Sequence, residues 1–263
     1  MTIIEINNLE FTYNKSVDKS FQLSVPSWIV EKGSFFSIIG PNGCGKSTLL
    51  KLIAGLLTPN KGSIIVAGKN IENISKKNYS KIIAYVPQSA VTIFPFSVYE
   101  IVMMGRTPYM NYMGFDKQED RGAVESALET MQLSHLQNKG INEISGGEAQ
   151  RVFIARALAQ KAEIILLDEP NSHLDLHHQI VIFDLLTKLS EKNGLTIIAV
   201  SHDLNMVGIY SKEIIFMNEG EIVIQGNKKD ILIKENIKRV FDVNTEITFK
   251  SNSNVANVLI NPQ

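Results

Sequence analysis

Short runs of hydrophobic residues, separated by segments with a helical period, dominate the pattern along the chain. Most of the runs are followed by a helical pattern, as STLLKLIAGLL follows the first of them. Buried strands that alternate with helices are typical of a parallel sheet in an α/β fold. The runs that predict such strands are FFSIIG (35–40), IIAYVP (82–87), IILLDE (164–169) and TIIAVS (196–201).

Other segments alternate hydrophobic and polar positions, which is typical of antiparallel strands with one buried face. TIIEINN and FQLSVPSWIV, near the N-terminus, predict two such strands, and GSIIVAG (62–68) can join them. EIIFMNEGEIVIQG (213–226) predicts a hairpin that turns at Asn218–Glu219–Gly220. We therefore expect an N-terminal antiparallel β-subdomain in addition to the parallel sheet.

Helical patterns dominate between about residues 88 and 162, including VYEIVMMG and RGAVESALETMQL. We interpret this stretch as a helical subdomain inserted into the α/β core. The predicted organisation is one domain, in which residues 1–87 and 163–263 form the core with its β-subdomain and residues 88–162 form the insertion. Residues 229–263 give the least information.

The composition excludes some classes of function. The chain has 263 residues and a mass of 29.3 kDa, with 44% hydrophobic and 20% charged residues. Its formal net charge is −1, so there is no basic surplus that would favour nucleic acid as a partner. No segment resembles an export signal or reaches the run of about 18 apolar residues that spans a bilayer. We expect a cytoplasmic protein, which needs a partner if it works at a membrane.

A glycine-rich stretch lies between the first predicted parallel strand and the helix after it. It fits the pattern G-x-x-x-x-G-K-[ST] in the strand–loop–helix context that this phosphate-binding motif, the P-loop, requires. Its glycines let backbone N–H groups surround phosphates, Lys46 can reach the β- and γ-phosphates, and the Ser47 hydroxyl can bind Mg²⁺. The sequence therefore predicts a nucleotide site. Its residues are Gly40, Pro41, Asn42, Gly43, Cys44, Gly45, Lys46, Ser47 and Thr48.

Cys44, the single cysteine, lies inside this loop and excludes an internal disulfide. A helix N-terminus tends to lower the pKa of a thiol. The simplest role of Cys44 is that of a small residue that fits a tight loop. We also expect that alkylation of Cys44 inactivates the protein and that bound Mg-ATP protects it.

Two adjacent carboxylates, Asp168 and Glu169, end the buried strand IILLDE. Because α/β sheets place ligands at the carboxyl ends of their strands, Asp168 is a candidate Mg²⁺ ligand. Glu169 is a candidate for orienting and deprotonating an attacking water. A strand that ends in two acids is common, as a helix N-cap or a surface pair. The P-loop in the same chain favours the catalytic interpretation.

A second potential anion site precedes the helical stretch EAQRVFIARALAQ. In ISGGEAQR (144–151), Ser145 can cap the helix, and the N–H groups of Gly146 and Gly147 can meet an anion at its positive end. The P-loop already provides one anion site, so a second helix start of this kind needs a separate explanation.

ISGGEAQR resembles the signature motif of ATP-binding-cassette (ABC) ATPases, and the other motifs of that family occur in the family's order between about residues 9 and 226. The resemblance implies a P-loop NTPase (RecA-like) core that binds ATP and Mg²⁺. By resemblance, Tyr13 in LEFTY stacks on adenine, Gln88 in YVPQ is the Q-loop glutamine, Asp175 in SHLD is the D-loop aspartate, and His202 in VSHD is the switch histidine that contacts the γ-phosphate.

The same resemblance assigns roles to the site residues. It implies Lys46, Gln88, Glu169 and His202 as catalytic residues, and Ser47, Gln88 and Asp168 as Mg²⁺ ligands. In this family two ATPase subunits face each other head to tail, and each ATP lies between the P-loop of one and the signature helix of the other. In this chain, the residues that the resemblance assigns to binding the partner subunit's ATP are Ser145, Gly146, Gly147 and Glu148. ATP binding then closes a homodimer and hydrolysis opens it, which can drive a membrane partner between two shapes.

Three stretches resemble ATPases of importers for iron–siderophore, haem, cobalamin and related metal chelates: VYEIVMMGRTPYM (98–110), LDEPNSHLDLHHQ (167–179) and VSHDLN (200–205). This implies a two-copy permease, an extracytoplasmic binding protein and a location at the cytoplasmic face of the membrane. Molybdate and zinc or manganese importers stay open. The adaptable apolar residues that can contact the permease, or else belong to the core of the helical subdomain, are Phe94, Phe96, Met103, Met104, Met110 and Met113.

Two other functions compete with transport. A soluble ABC ATPase, such as an iron–sulfur-assembly ATPase, departs from the DEP-x-SHLD pattern found here, and a non-catalytic binding module is disfavoured by intact Lys46, Asp168, Glu169 and His202. The histidines His173, His177 and His178 suggest a metal site, but a position beside the D-loop at a subunit interface is the stronger interpretation. Asn171 stands where the family usually has threonine or serine, which puts the hydrolysis rate slightly in doubt.

Overall fold

The computed structural model describes residues 1–13, 21–88, 95–110, 117–171, 174–249 and 255–261. The strands are β1 (Thr2–Thr12), β2 (Gln22–Glu31), β3 (Phe35–Ile39), β4 (Lys61–Val66), β5 (Lys69–Asn70), β6 (Ile83–Val86), β7 (Ile164–Asp168), β8 (Thr196–Val200), β9 (Glu213–Asn218), β10 (Glu221–Asn227), β11 (Asn244–Phe249) and β12 (Ala256–Asn261). The helices are α1 (Lys46–Ile53), α2 (Lys76–Tyr79), α3 (Val98–Met103), α4 (Gln118–Thr130), α5 (Gly146–Ala159), α6 (Leu176–Asn193), α7 (Leu204–Tyr210), α8 (Lys228–Ile231) and α9 (Lys234–Phe241).

Internal contacts divide the chain into two compact units. The first unit contains residues 1–74 and 187–263, and the second contains residues 75–186. The first therefore holds the P-loop and His202, and the second holds the two carboxylates and the signature helix.

The N-terminal strands of the first unit form the expected antiparallel sheet. β1 pairs antiparallel with β2 on one side and with β4 on the other. The alternating pattern explains why, because Ile4 and Ile6 are both buried and lie on one face of β1. The prediction of three antiparallel strands in this region is confirmed.

The parallel strands of the first unit surround β3, which pairs parallel with β8 and with β9. β9 continues into β10 through the predicted hairpin, which is confirmed with its turn at Glu219 and Gly220. Both turn residues have positive φ angles, 46° and 84°, as a two-residue hairpin turn requires. A Cβ at Gly220 would also collide with the carbonyl of Gln22. Both the φ angle and this close contact therefore favour glycine at the position. The strand order in this unit is β5-β4-β1-β2-β10-β9-β3-β8.

The C-terminal part of the first unit has a structure that the sequence pattern did not predict. After α8 and α9, strands β11 and β12 form a separate antiparallel pair. Buried side chains of α7, α9 and β12 pack together with Ile39 at the end of β3, forming an apolar cluster. We call residues 228–249 and 255–261 the C-terminal segment.

The second unit contains β6 and β7, which pair in parallel as predicted, and helices α3, α4 and α5, which pack against one another. α3 continues into the 3₁₀ helix Met104–Tyr109, which contains Pro108. Inside it, the buried Arg106 guanidinium donates from Nε to Asp120 Oδ1 at 2.8 Å and from one terminal nitrogen to the carbonyl of Ala159 at 2.8 Å. These bonds link the 98–110 stretch to α4 and to the C-terminal end of α5.

Within the described residues, no helix has the length and apolar character needed to cross a membrane.

Candidate nucleotide site

The P-loop turns from β3 into α1 through backbone conformations and close contacts that favour glycine. A Cβ at Gly40 would collide with the carbonyl of Met217 and would lie 2.7 Å from Cys44 Sγ. Gly43 and Gly45 have φ angles of 78° and 107°, in the region that residues with a Cβ rarely adopt. Gly45 is also the N-cap of α1. The glycines therefore shape a loop whose backbone N–H groups precede a helix N-terminus, where anions are stabilised.

Lys46 is the first residue of α1, and its side chain turns back into the loop. The ammonium group donates to the carbonyl oxygens of Gly40 at 2.8 Å and Pro41 at 2.9 Å, and the side chain is buried. A positive charge thus lies among the loop's backbone groups, where a bound phosphate would be neutralised. Ser47 is half-buried beside it.

Tyr13 lies next to the P-loop helix. Its hydroxyl is 3.1 Å from Thr48 Oγ1, and its ring packs edge-on against Phe11 with the centroids 4.9 Å apart. Because the residue is still 59% exposed, the ring face is available for stacking. This placement suits a residue that contacts an adenine, which is the role predicted for Tyr13.

Cys44 is buried within the P-loop, and one sequence-based expectation about it is wrong. Burial raises the pKa of its thiol, and this effect outweighs the nearby Lys46 charge and the backbone hydrogen bonds that lower it. The helix N-terminus therefore does not produce a reactive thiolate here. The simpler role stands: Cys44 is a small residue packed against Gly40.

Asp168 ends β7 as a buried carboxylate. The hydroxyl of Tyr85, on the neighbouring strand β6, donates to Asp168 Oδ2 at 3.1 Å. Tyr85 pairs with Leu166 in the β6–β7 register, so the parallel pairing brings the tyrosine to the end of β7. Sequence analysis did not single out Tyr85. The available signal was its position three residues before Gln88, in the strand that leads to it.

Glu169 has a φ angle of 48°, which is unusual for a residue with a Cβ. Such strained backbone conformations concentrate at functional sites, where they direct a side chain. Here the carboxylate accepts a hydrogen bond from Gln88: Nε2 of Gln88 is 2.7 Å from Glu169 Oε2. The structure thus brings together two residues that the sequence assigned to catalysis.

The signature stretch begins α5 with a reciprocal capping box. Ser145 Oγ accepts a hydrogen bond from the Glu148 N–H at 3.3 Å, while Glu148 Oε2 accepts from the Ser145 N–H at 2.8 Å and from its hydroxyl at 2.7 Å. These bonds lower the pKa of Glu148 and keep it ionised. Ser145 and Glu148 thereby fix the start of the helix, and a direct contact of either with a nucleotide stays a prediction.

Gly146 lies in the exposed first turn of α5 and has no local reason to be glycine. A Cβ built there would meet nothing within 4 Å, and its φ angle is not positive. At Gly147 a Cβ would lie 3.4 Å from Leu174, an ordinary contact distance. The packing and backbone of the chain itself therefore do not require Gly146. A group that approaches the helix N-terminus from outside would require a residue without a side chain at this position.

Asp175 precedes α6 and is bound to the first turn of that helix. Its carboxylate accepts from the His178 N–H at 2.9 Å and contacts His178 Nδ1 at 2.8 Å, and these hydrogen bonds lower the pKa of Asp175. The third histidine of the stretch, His173, lies outside the described residues. Within the described ranges, no group of three or more His, Cys, Asp or Glu side chains is suited to a metal ion.

His202 is the second residue after β8 and is exposed. It is flanked by Ser201, which is buried, and by Asp203, whose side chain caps α7. The structure therefore presents His202 at the carboxyl end of a parallel strand, as the sequence predicted.

The comparisons with known proteins agree with these motifs. The ABC transporter family model matches residues 23–172. The chain is 40% identical to the ferric enterobactin transport ATP-binding protein FepC of Escherichia coli, over 81% of this chain and 78% of that one. It is 35% identical to the iron(3+)-hydroxamate import ATP-binding protein FhuC of Bacillus subtilis, over 92% and 88%.

The fold is also shared with solved structures. An inward-facing transporter assigned to the metal-chelate type superposes with a TM-score of 0.86 at 29% identity, covering 100% of this chain and 99% of that chain. This likeness confirms the predicted α/β fold of a P-loop ATPase cassette. The family match, the relatives and the fold together show that this chain belongs to the ABC transporter family and is one of its ATP-binding, ATPase-type subunits.

Proposed function

We propose that the chain powers a membrane importer for an iron chelate, such as a ferric siderophore, by binding and hydrolysing ATP. The observation that carries this proposal is the similarity, over most of both chains, to ATP-binding proteins of two different siderophore systems. Haem, cobalamin, molybdate and zinc or manganese are alternative cargoes. A soluble ABC ATPase without a membrane partner is the second candidate function.

The chain's own residues supply the hydrolytic chemistry in this proposal. Lys46 neutralises the β- and γ-phosphates, His202 contacts the γ-phosphate, and Glu169 orients and deprotonates the attacking water. Gln88 holds the Glu169 carboxylate through its 2.7 Å hydrogen bond.

The residues assigned to Mg²⁺ are chemically suited to it. Ser47, Gln88 and Asp168 offer a hydroxyl, an amide and a carboxylate oxygen, which are the hard ligands that Mg²⁺ prefers. When bound there, Mg²⁺ supplies charge neutralisation for the triphosphate. Tyr85 orients Asp168 for this task through its 3.1 Å hydrogen bond.

The signature helix acts on ATP held by a second copy of the chain. Gly146 supports this part of the proposal because neither its surroundings nor its backbone conformation requires glycine in the single chain. A side chain at this position would stand between the α5 N-terminus and an approaching phosphate. In the homodimer, the amides of Gly146 and Gly147 bind the partner copy's γ-phosphate, and hydrolysis weakens that attachment.

The proposed assembly contains this homodimer, a two-copy permease and an extracytoplasmic binding protein, so the chain lies at the cytoplasmic membrane face. The inserted helical subdomain, residues 88–162, provides the permease contact. Of the six apolar residues assigned to it, Phe94 and Met113 lie outside the described residues. Met104 is exposed, and Phe96, Met103 and Met110 are half-buried, which suits a surface better than a core.

Hydrolysis is tested with the purified protein and two variants that each lose a lysine. Wild type should release phosphate from ATP in a Mg²⁺-dependent manner, and Lys46→Ala should lose both activity and nucleotide binding. Lys69→Ala, which changes an exposed lysine on β5, is the matched control and should behave as wild type. Equal rates for all three proteins would show that the hydrolysis does not come from this site.

The cargo is tested by uptake into cells that lack the chain. Uptake of a radioactive ferric siderophore should be lost, and should return with wild type but not with Lys46→Ala. If these cells take up the siderophore normally but no longer take up cobalamin, the cargo is cobalamin and not an iron chelate. Normal uptake of both, with ATPase activity intact, would favour the soluble ATPase.

A further inference from the structure

We propose that the C-terminal segment, residues 228–249 and 255–261, is a positioning device for His202, acting through Lys228 and Asn205 on helix α7. This inference rests on the proposed hydrolysis of ATP, in which His202 takes part. It assigns a function to the part of the chain that carries no recognisable motif.

Helix α7 starts two residues after His202 and is connected to it through its N-cap residue, Asp203. The Asp203 side chain accepts hydrogen bonds from the N–H groups of Asn205 at 2.9 Å and Met206 at 3.1 Å. The N–H of Asp203 in turn donates to Ser201 Oγ at 3.1 Å. His202 therefore lies between two residues that are fixed to each other and to the helix, so a shift of α7 moves His202.

α7 is too short to hold its own position. It spans only Leu204–Tyr210, and isolated helices well above that length are marginal in water. Its location is therefore set by tertiary contacts. Met206 and Val207 are buried, and Val207 belongs to the apolar cluster that includes Val258 of β12 and Ile39 at the end of β3.

The C-terminal end of α7 is held by Lys228. The ammonium group donates to the carbonyl oxygens of Gly208 at 2.7 Å and Ile209 at 3.3 Å, and the residue is only 1% exposed. A cation at the end of a helix satisfies its last carbonyls and complements its dipole. Burial, and to a smaller extent Lys229, lower the pKa of Lys228 to about 8. Its charge is buried at a cost, and the two hydrogen bonds of its ammonium group described above go to this helix.

The side of α7 is held by β12. Asn205 Oδ1 accepts a hydrogen bond from the N–H of Val258 at 2.8 Å. One turn further along, a Cβ on Gly208 would lie 2.5 Å from the carbonyl oxygen of Ala256, so the helix and the strand are in direct backbone contact. The helix after His202 is thus attached to the C-terminal segment at its start, at its side and at its end.

The test compares two variants with two matched controls in the full-length protein. Lys228→Met removes the ammonium group and keeps a long side chain, and Asn205→Ala removes the acceptor for Val258. Lys229→Met and Asn257→Ala change exposed neighbours of the same type. Steady-state ATPase kinetics separate kcat from KM, and hydrogen exchange measured by mass spectrometry follows the amides of residues 202–206.

We expect kcat to fall roughly tenfold in Lys228→Met and in Asn205→Ala, because small displacements of a catalytic group have large effects on rate. KM for ATP should change by less than about twofold, since the P-loop is untouched, and the amides of 202–206 should exchange faster. If Lys228→Met does not fold, Asn205→Ala decides.

Wild-type kcat in the folded variants would overturn the inference, as would equal losses in the two controls. An equal loss of kcat and ATP affinity would overturn it too, because it indicates a general structural effect. Absence of ATPase activity in wild type would instead overturn the proposed function, and this inference with it.

Discussion

Gln88 Nε2 donates a hydrogen bond to Glu169 Oε2 at 2.7 Å. This bond joins the segment that follows β6 to the residue that follows β7. Glu169 has a φ angle of 48° at this point, so its side-chain direction is set both by its strained backbone and by the glutamine. A general base has to be oriented toward its water, and the contact places that orientation under the control of Gln88.

We therefore predict that Gln88→Ala lowers kcat for ATP hydrolysis by roughly 10- to 100-fold and changes KM for ATP only slightly. Steady-state kinetics of the purified protein check this. Gln118→Ala, at an exposed glutamine in the first turn of α4, is the control. A wild-type kcat in Gln88→Ala would mean that Glu169 does not depend on this contact.

A second prediction concerns Tyr85 and magnesium. Tyr85→Phe removes the hydroxyl that donates to Asp168 at 3.1 Å while keeping the ring. Because partners of this kind orient metal ligands, we expect the Mg²⁺ concentration for half-maximal activity to rise roughly tenfold. Tyr109→Phe is the control, since it retains the ring that lies 3.9 Å from the Arg106 guanidinium carbon. An unchanged Mg²⁺ requirement in Tyr85→Phe would argue against Asp168 as a ligand.

A third prediction concerns the buried ion pair of Arg106 and Asp120, with Arg106 Nε 2.8 Å from Asp120 Oδ1. Burial alone would raise the pKa of Asp120, but the Lys117 N–H and Arg106 outweigh it and lower that pKa. A carboxylate whose folded-state pKa lies below its unfolded value stabilises the fold above the unfolded pKa. That stability is lost as the pH falls through the folded pKa.

We expect Asp120→Asn to have a lower free energy of unfolding than wild type at pH 7, by about 3 kcal/mol, because it leaves the Arg106 charge buried without its partner. The difference should shrink as the pH falls below the unfolded-state pKa of about 4 and on through the lower folded-state pKa, where the wild-type carboxylate takes up a proton. Urea unfolding at several pH values measures both effects. A difference that does not vary with pH would show that Asp120 is not ionised in the fold.

Much of the fold follows from local patterns. The uninterrupted runs at 35–40 and 196–201 became parallel strands because both of their faces are covered, and Asn218–Glu219–Gly220 became a hairpin turn because its residues tolerate positive φ angles. The C-terminal segment was not predictable in this way. Its strands are partly exposed, and the contacts of Lys228 with α7 and of Val258 with Asn205 are non-local.

At the candidate site, too, the local features could be predicted from the sequence and the non-local ones could not. Local sequence identified Lys46, Glu169 and the signature stretch as candidates, because the P-loop, the end of the strand IILLDE and ISGGEAQR are each a continuous piece of sequence. The pairing of Tyr85 with Asp168 depends on the register of two strands that are far apart in the chain. The raised pKa of Cys44 depends on how deeply the loop is packed, which its sequence does not reveal.

In the proposed homodimer, the signature helix of one copy binds the ATP held by the P-loop of another. Glu169→Gln should bind ATP but hydrolyse it at least about 100-fold more slowly, so the closed dimer should accumulate. Gly146→Asp then adds a negatively charged side chain where the partner's phosphate is expected, at a position with open space around it. Gly122→Asp is the matched control, because a Cβ at Gly122 also meets nothing within 4 Å.

The decisive measurement is the mass of these proteins in saturating Mg-ATP, by size-exclusion chromatography with light scattering. We expect twice the 29.3 kDa chain mass for Glu169→Gln, alone or combined with Gly122→Asp, and 29.3 kDa for Glu169→Gln combined with Gly146→Asp. A monomeric Glu169→Gln protein, or a dimer that persists with Gly146→Asp, would contradict the proposed homodimer.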